Sequence, residues 1–163
     1  ALPILNDRDN FRKVVEQILS SKRVFTMGLG VSFLLSQIIS YQLNQVSIYS
    51  STFTNNSATF MEQILFLKES DLIIALSFPP YYKATIEAVK FAKERGIKVV
   101  AVTNKNSSPI SIYSDVSLIV KSENMLFTNS FAAISVLINA IVTESALRNK
   151  SNVKKLFTEV KDI

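Results

Sequence analysis

Two short loops hold most of the side chains with which this chain could recognise a small molecule. The first is Gly28-Leu29-Gly30-Val31-Ser32 and the second is Ser77-Phe78-Pro79-Pro80-Tyr81-Tyr82. Both contain what a polar, uncharged site would use. Glycine lets the backbone approach a ligand closely. A helix N-terminus presents free N–H groups and a positive dipole to an anion, and Ser32 falls at the start of such a helix.

The same residues are poorly equipped for catalysis. The chain has no His and no Cys, so the commonest acid/base group near neutral pH is missing and Cys-built zinc sites and disulfides are excluded. An enzyme would have to work with Glu, Asp, Lys or Tyr. The only acid expected near the ligand side is Glu123, read as a solvated loop residue because no partner that would tune its pKa is visible. No catalytic residue, metal site or cofactor is expected. A dinucleotide site needs Gly-x-Gly-x-x-Gly and an acid about twenty residues later. Here Phe33 occupies the third glycine position, and no Asp or Glu occurs between Glu16 and Glu62. A Walker phosphate loop is also absent.

The elements that must position these loops alternate. Helices are predicted over residues 7–20, 31–43, 56–69, 83–95, 128–148 and 153–160, with a short turn or helix at 107–113. Strands are predicted over 23–27, 46–50, 71–76, 97–102 and 116–120. Leu72-Ile73-Ile74-Ala75-Leu76 is continuously apolar, as suits a parallel strand covered on both faces. Gly96 fits a helix C′ position. The expected fold is α/β: a doubly wound five-stranded parallel sheet in the flavodoxin-like order 2-1-3-4-5, helices on both faces. Its switch point lies between strands one and three, where ligands bind beyond the strands' carboxyl ends, and both loops converge there.

That placement favours a ligand role for Ser32 over a plain helix-start serine. Ser77 is equally well read as an ordinary strand-end residue. Thr52, Thr54 and Asn55 are read as loop or cap residues, and Thr103 and Asn104 as turn formers.

One domain, residues 1–163, is expected from the length and from the 48% hydrophobic content. The net charge is +5, but Lys and Arg are dispersed on polar helix faces among Glu, which reads as solvated surface rather than a nucleic-acid patch. The longest apolar stretch, Phe131 to Val142, is interrupted by Ser135 and Asn139 and is shorter than the ~20 residues a bilayer needs. With no signal peptide visible, a cytoplasmic protein without a membrane partner is expected. The chain starts at Ala1 and is read as a piece of a longer protein. The helix 128–148 is apolar on nearly every face, which calls for cover from a second copy or from the first helix.

The two loops, with the stretch from Leu76 to Thr103, Ser108-Pro109, Ser114-Asp115-Val116, Phe127-Thr128-Asn129-Ser130 and Ile138-Asn139-Ala140, resemble the SIS (sugar isomerase) domain of RpiR-type bacterial transcription regulators. The likeness runs from about residue 7 to 148. It implies a non-catalytic effector domain that senses a sugar phosphate or amino-sugar phosphate, with Gly30, Ser32, Ser77, Tyr81 and Tyr82 as its ligand-binding residues. It also implies a homodimer through helix 128–148, and DNA binding only through an N-terminal helix-turn-helix domain absent from this chain. A sugar-phosphate isomerase and a ligand-free dimerisation domain are the alternatives. The second loop departs from the family pattern Ser-x-Ser-Gly-x-Thr: Pro79 replaces the second serine, Pro80 the glycine and Tyr82 the threonine. Two hydroxyls are changed or lost, and the prolines remove two backbone N–H donors.

Overall fold

The central strand explains the architecture. Every residue of β3 (Asp71–Ser77) is buried, because side chains alternate across the sheet and both faces are covered. Leu72, Ile74 and Leu76 join one apolar cluster, and Ile73 and Ala75 the other. Around it lie β1 (Arg23–Met27), β2 (Ser50–Thr52), β4 (Lys98–Thr103) and β5 (Val116–Ile119). All pair in parallel, in the order β2-β1-β3-β4-β5, as expected. The computed structural model describes residues 8–121 and 127–162, except the side chains of 127–130, 151–153 and 156. Glu123 therefore lies outside the described residues.

One face of the sheet is covered by α1 (Arg8–Ser20), α2 (Val31–Gln45) and α6 (Phe127–Arg148), the other by α3 (Phe60–Leu65), α4 (Lys83–Glu94) and α5 (Pro109–Ile112). A last helix, α7 (Lys150–Lys161), follows α6. Fully burying a side chain such as Leu72 or Ile73 is worth about 1.5–3 kcal/mol, so the alternation along β3 anchors both layers.

Two predicted elements moved. The second strand starts at Ser50, not Val46. Val46 and Ser47 wrap the end of α2, with Ser47 at φ 65° and the Ile48 amide donating to the Leu43 carbonyl. Asn44 then clamps Ser50 by accepting from its N–H and donating to its carbonyl, both at 2.8 Å. The β-branched residues Val46 and Ile48 favour a strand, but closing the helix end and burying Ile48 decide otherwise. The predicted helix 56–69 contracts to one 3-10 turn, Ser57–Thr59, and α3.

The α6 segment Phe131–Arg148 is by length and composition apolar enough to cross a membrane, a longer span than the Phe131–Val142 stretch suggests. Its residues Ile134, Leu137, Ile138 and Ile141 are instead buried in the core cluster shared with α1 and α2.

Candidate functional site

The β1–α2 loop is built by its two glycines. A Cβ on Gly28 would lie 2.7 Å from the carbonyl carbon, carbonyl oxygen and Cβ of Ser32, so the loop turns this tightly only without a side chain there. Gly30 has φ 61° and ψ −130°, a backbone state open mainly to glycine. No side chain caps α2, so the positive end of this 15-residue helix is left to the loop backbone and to any anion that reaches it. Ser32 is buried in the first turn.

Ser77 closes β3 and is also buried. Among the described residues, neither the Ser32 nor the Ser77 hydroxyl has a hydrogen-bond partner. In register, Ser77 lies beside Thr103, the last residue of β4. The loop after Ser77 runs through a cis Pro79–Pro80 bond, and α4 begins at Lys83, since proline and the residue before it resist the helical turn.

The two tyrosines diverge. Tyr82 turns toward the first loop, where its hydroxyl stands 3.0 Å from the position a Gly30 Cβ would take. Its side is half exposed. Tyr81 turns toward β4 and donates its hydroxyl proton to Asn104 Oδ1, which also accepts from Thr103 Oγ1 at 3.4 Å. The second loop thus reaches both flanks of the Ser77 strand end. Gly30 and Tyr82 are brought together, Ser32 lies in the first turn of the helix after β1 and Ser77 at the end of the neighbouring β3, and Tyr81 is bound to Asn104.

The remaining sequence-level readings sort cleanly. Thr52 is structural: its hydroxyl contacts Thr26 Oγ1 at 2.9 Å, and Thr26 donates to the Ser36 carbonyl at 2.7 Å. Thr54 is tied to Gln63 and Thr59. Asn104 is more than a turn former, because it bridges two loops. Nothing in its local sequence signals this; the only hint is a tyrosine following two prolines, held where its ring must find a neighbour. Ser108, fully buried before Pro109, has a hydroxyl with no partner among the described residues.

No group of three or more His, Cys, Asp or Glu able to hold a metal occurs among the described residues. Neither loop contains a charged residue. An anion here would be held by hydroxyls, backbone N–H groups and the α2 dipole, a site that binds and orients but offers no evident proton shuttle.

Comparison with known proteins agrees with this geometry. The family model described as "SIS domain" matches residues 17–144. An uncharacterised HTH-type transcriptional regulator of Haemophilus influenzae is 30% identical over 115 residues, 71% of this chain and 40% of the regulator. A glutamine–fructose-6-phosphate aminotransferase of Pyrobaculum aerophilum is 33% identical over 105 residues, 64% of this chain but 17% of the enzyme. This chain therefore spans less than half the length of either relative. In structure, the sugar isomerase domain of an RpiR transcription factor from Sphaerobacter thermophilus superposes with a TM-score of 0.90 at 24% identity, covering 98% of this chain and 90% of that one. The Vibrio vulnificus NanR protein complexed with ManNAc-6P gives 0.79 at 25% identity, covering 94% of this chain and 61% of NanR. The family match over most of the length, on a sheet of the same strand order with the glycine–serine loop at its switch point, identifies the chain as a member of the SIS domain family.

Proposed function

We propose that this domain is the effector module of an RpiR-type transcription regulator, binding a sugar phosphate or amino-sugar phosphate without transforming it. The observation that carries the reading is the pair of serine hydroxyls without a partner among the described residues, Ser32 in the first turn of α2, which no side chain caps, and Ser77 at the end of β3. Ser32 and the α2 N-terminus would take phosphate oxygens, Ser77 a phosphate or sugar oxygen, and Tyr82 would present its hydroxyl beside Gly30. The regulator named among the relatives and the ManNAc-6P carried by NanR support the class of ligand. A chain without His or Cys favours sensing over isomerisation. In this reading DNA contact belongs to an N-terminal domain outside this chain, and the protein works in the cytoplasm.

Thermal shift against hexose, pentose and N-acetyl sugar phosphates tests the reading. A true ligand at ~100 times its dissociation constant adds about 2.7 kcal/mol of stability. Ser32→Ala and Ser77→Ala should each weaken that ligand about fivefold or more, the scale of one lost hydrogen bond to a charged group, with little change in the melting temperature of the free protein. No shift with any member of the panel would overturn the ligand assignment. Turnover of an aldose phosphate in a coupled assay would overturn the non-catalytic one.

Self-association, expected through helix 128–148, is part of the proposal, and the face extends from that helix onto α2. Ile134, Leu137, Ile138 and Ile141 of α6 are buried against α1 and α2 within the chain, while Val136 and Leu147 of the same helix remain exposed. An uncharged face remains beside it. No residue between Arg23 and Glu62 carries a charge, and α2 exposes Leu34 and Tyr41 there. Gln42 donates to Asn139 of α6 at 3.3 Å, joining this stripe to exposed Val136. Two copies, each bearing a net charge of +5, repel least where neither presents a charge, and a charge-depleted patch with an aromatic centre is typical of interface cores. The domain should run as a dimer in sizing chromatography with light scattering at tens of micromolar, and Leu34→Glu with Tyr41→Glu should make it monomeric. A monomeric wild type, or a double variant that remains dimeric, removes this face from consideration.

A further inference from the structure

We infer that Asn104 is a positioning residue for the ligand site, acting through Tyr81 to hold the second loop across the strand ends. This rests on the ligand site proposed above. Asn104 follows β4 directly, and β3 and β4 end level, Ser77 beside Thr103. The chain then leaves β3 through Phe78, Pro79, Pro80 and Tyr81. Among the described residues, no backbone–backbone hydrogen bond of the turns and loops involves these four, and two of them have no N–H to give. Rigid dihedrals make the loop stiff internally but do not set its angle to the sheet. One polar contact by which a side chain of this loop is tied to another is the bond from the Tyr81 hydroxyl to Asn104 Oδ1.

The consequence falls on the next residue. Tyr82 begins the turn into α4, its carbonyl accepting from the Thr85 and Ile86 amides. With Tyr81 held on one side and α4 on the other, the Tyr82 ring is directed over Gly30, where its hydroxyl stands. A contact at the end of β4 thereby sets a hydroxyl at the end of β1, two strands away in the sheet order. Asn104 suits the task because its carbonyl oxygen accepts from Tyr81 while its amide remains uncharged. A carboxylate there would place a negative charge at the mouth of an anion site.

The test is a double-mutant cycle of Tyr81→Phe and Asn104→Ala, read by NMR on backbone amides with and without added inorganic phosphate and ManNAc-6P. Each single variant should shift the Gly30, Val31 and Ser32 amides in the free protein. Each should weaken the bound probe about fivefold, the scale of one hydrogen bond. The double variant should be no weaker than either single one, since both remove the same bond. Melting temperatures should stay close to wild type, which separates positioning from a general loss of structure. Unperturbed Gly30–Ser32 amides in both single variants, or additive losses in the double variant, would overturn the inference. If the amides shift as expected but wild type binds neither probe, the positioning role stands and the ligand reading fails.

Discussion

Gly28→Ala is expected to be among the most damaging single substitutions in this domain, through a steric clash where Gly30→Ala acts through the backbone. At Gly28 the added methyl would sit 2.7 Å from three atoms of Ser32, two of them backbone. No rotamer relieves such a contact, so the first turn of α2 must move away from the end of β1. Overpacking of this kind costs about 1–3 kcal/mol, and moving the helix start also displaces Ser32. At Gly30 the methyl would meet the tip of Tyr82, a flexible side-chain end, at 3.0 Å. The cost there is mainly that of holding a residue with a Cβ at φ 61° and ψ −130°, a region essentially closed to all but glycine, about 1–3 kcal/mol. Urea titration should show both Gly28→Ala and Gly30→Ala less stable than wild type, and ligand-induced thermal shift should vanish in the former. Equal stability of Gly28→Ala and wild type would show that the loop does not turn as described.

Asp71→Ala is expected to cost about 2–3 kcal/mol, and to remove part of the acid sensitivity of the fold. Asp71 opens β3 with its carboxylate buried. The carboxylate accepts from Arg23 Nε at 2.9 Å, from Arg23 Nη2 at 2.6 Å and from the Lys68 amide at 2.8 Å. Burial alone would raise the carboxyl pKa. The Arg23 guanidinium and the Lys68 amide outweigh burial and hold it below the usual carboxylate value. Truncation removes the acceptor of the Lys68 N–H and leaves the guanidinium without its partner. A fully buried pair would lose ~3–5 kcal/mol on such truncation. Arg23 is 37% exposed and recovers part of that through hydration. Because the folded pKa lies below the unfolded one, the ion pair's stabilisation is complete above the unfolded value of about 3.9. It is lost as pH falls through the lower folded value. Urea midpoints of wild type should therefore decline on acidification below about pH 4 more steeply than those of Asp71→Ala. Parallel pH profiles would show that Asp71 contributes nothing through its charge.

Arg23 and Asp71 were legible only as residues at predicted strand starts; their pairing depends on β1 and β3 lying side by side with Arg23 opposite Asp71. The same distinction separates the two halves of the ligand site. The Gly28–Ser32 loop could be placed at a switch point because the alternation of apolar strands and amphipathic helices is a local property of the chain, and right-handed crossovers leave few ways to assemble it. The apolar run Leu72–Leu76 signals a strand with two covered faces whatever surrounds it. Boundaries were less legible. Val46 and Ile48 have strand propensity, yet the end of α2 and the Asn44 clamp on Ser50 claim them, because satisfying a helix terminus and burying one isoleucine outweigh a propensity of a few tenths of a kcal/mol.

By itself the sequence determined the class of fold, the neutral glycine–serine loop and the lack of imidazole and thiol chemistry, since each follows from residue type and spacing along the chain; the strand order was one of the few topologies left open and is settled by the sheet pairing. The tertiary structure decided which of two adjacent tyrosines faces the first loop and which is bound to Asn104, and that α1 and α2 pack on Ile134, Leu137, Ile138 and Ile141 of α6. These depend on contacts between residues far apart in sequence, where the direction of one ring or the cover of one face is set by what the fold brings beside it, and no local pattern encodes that.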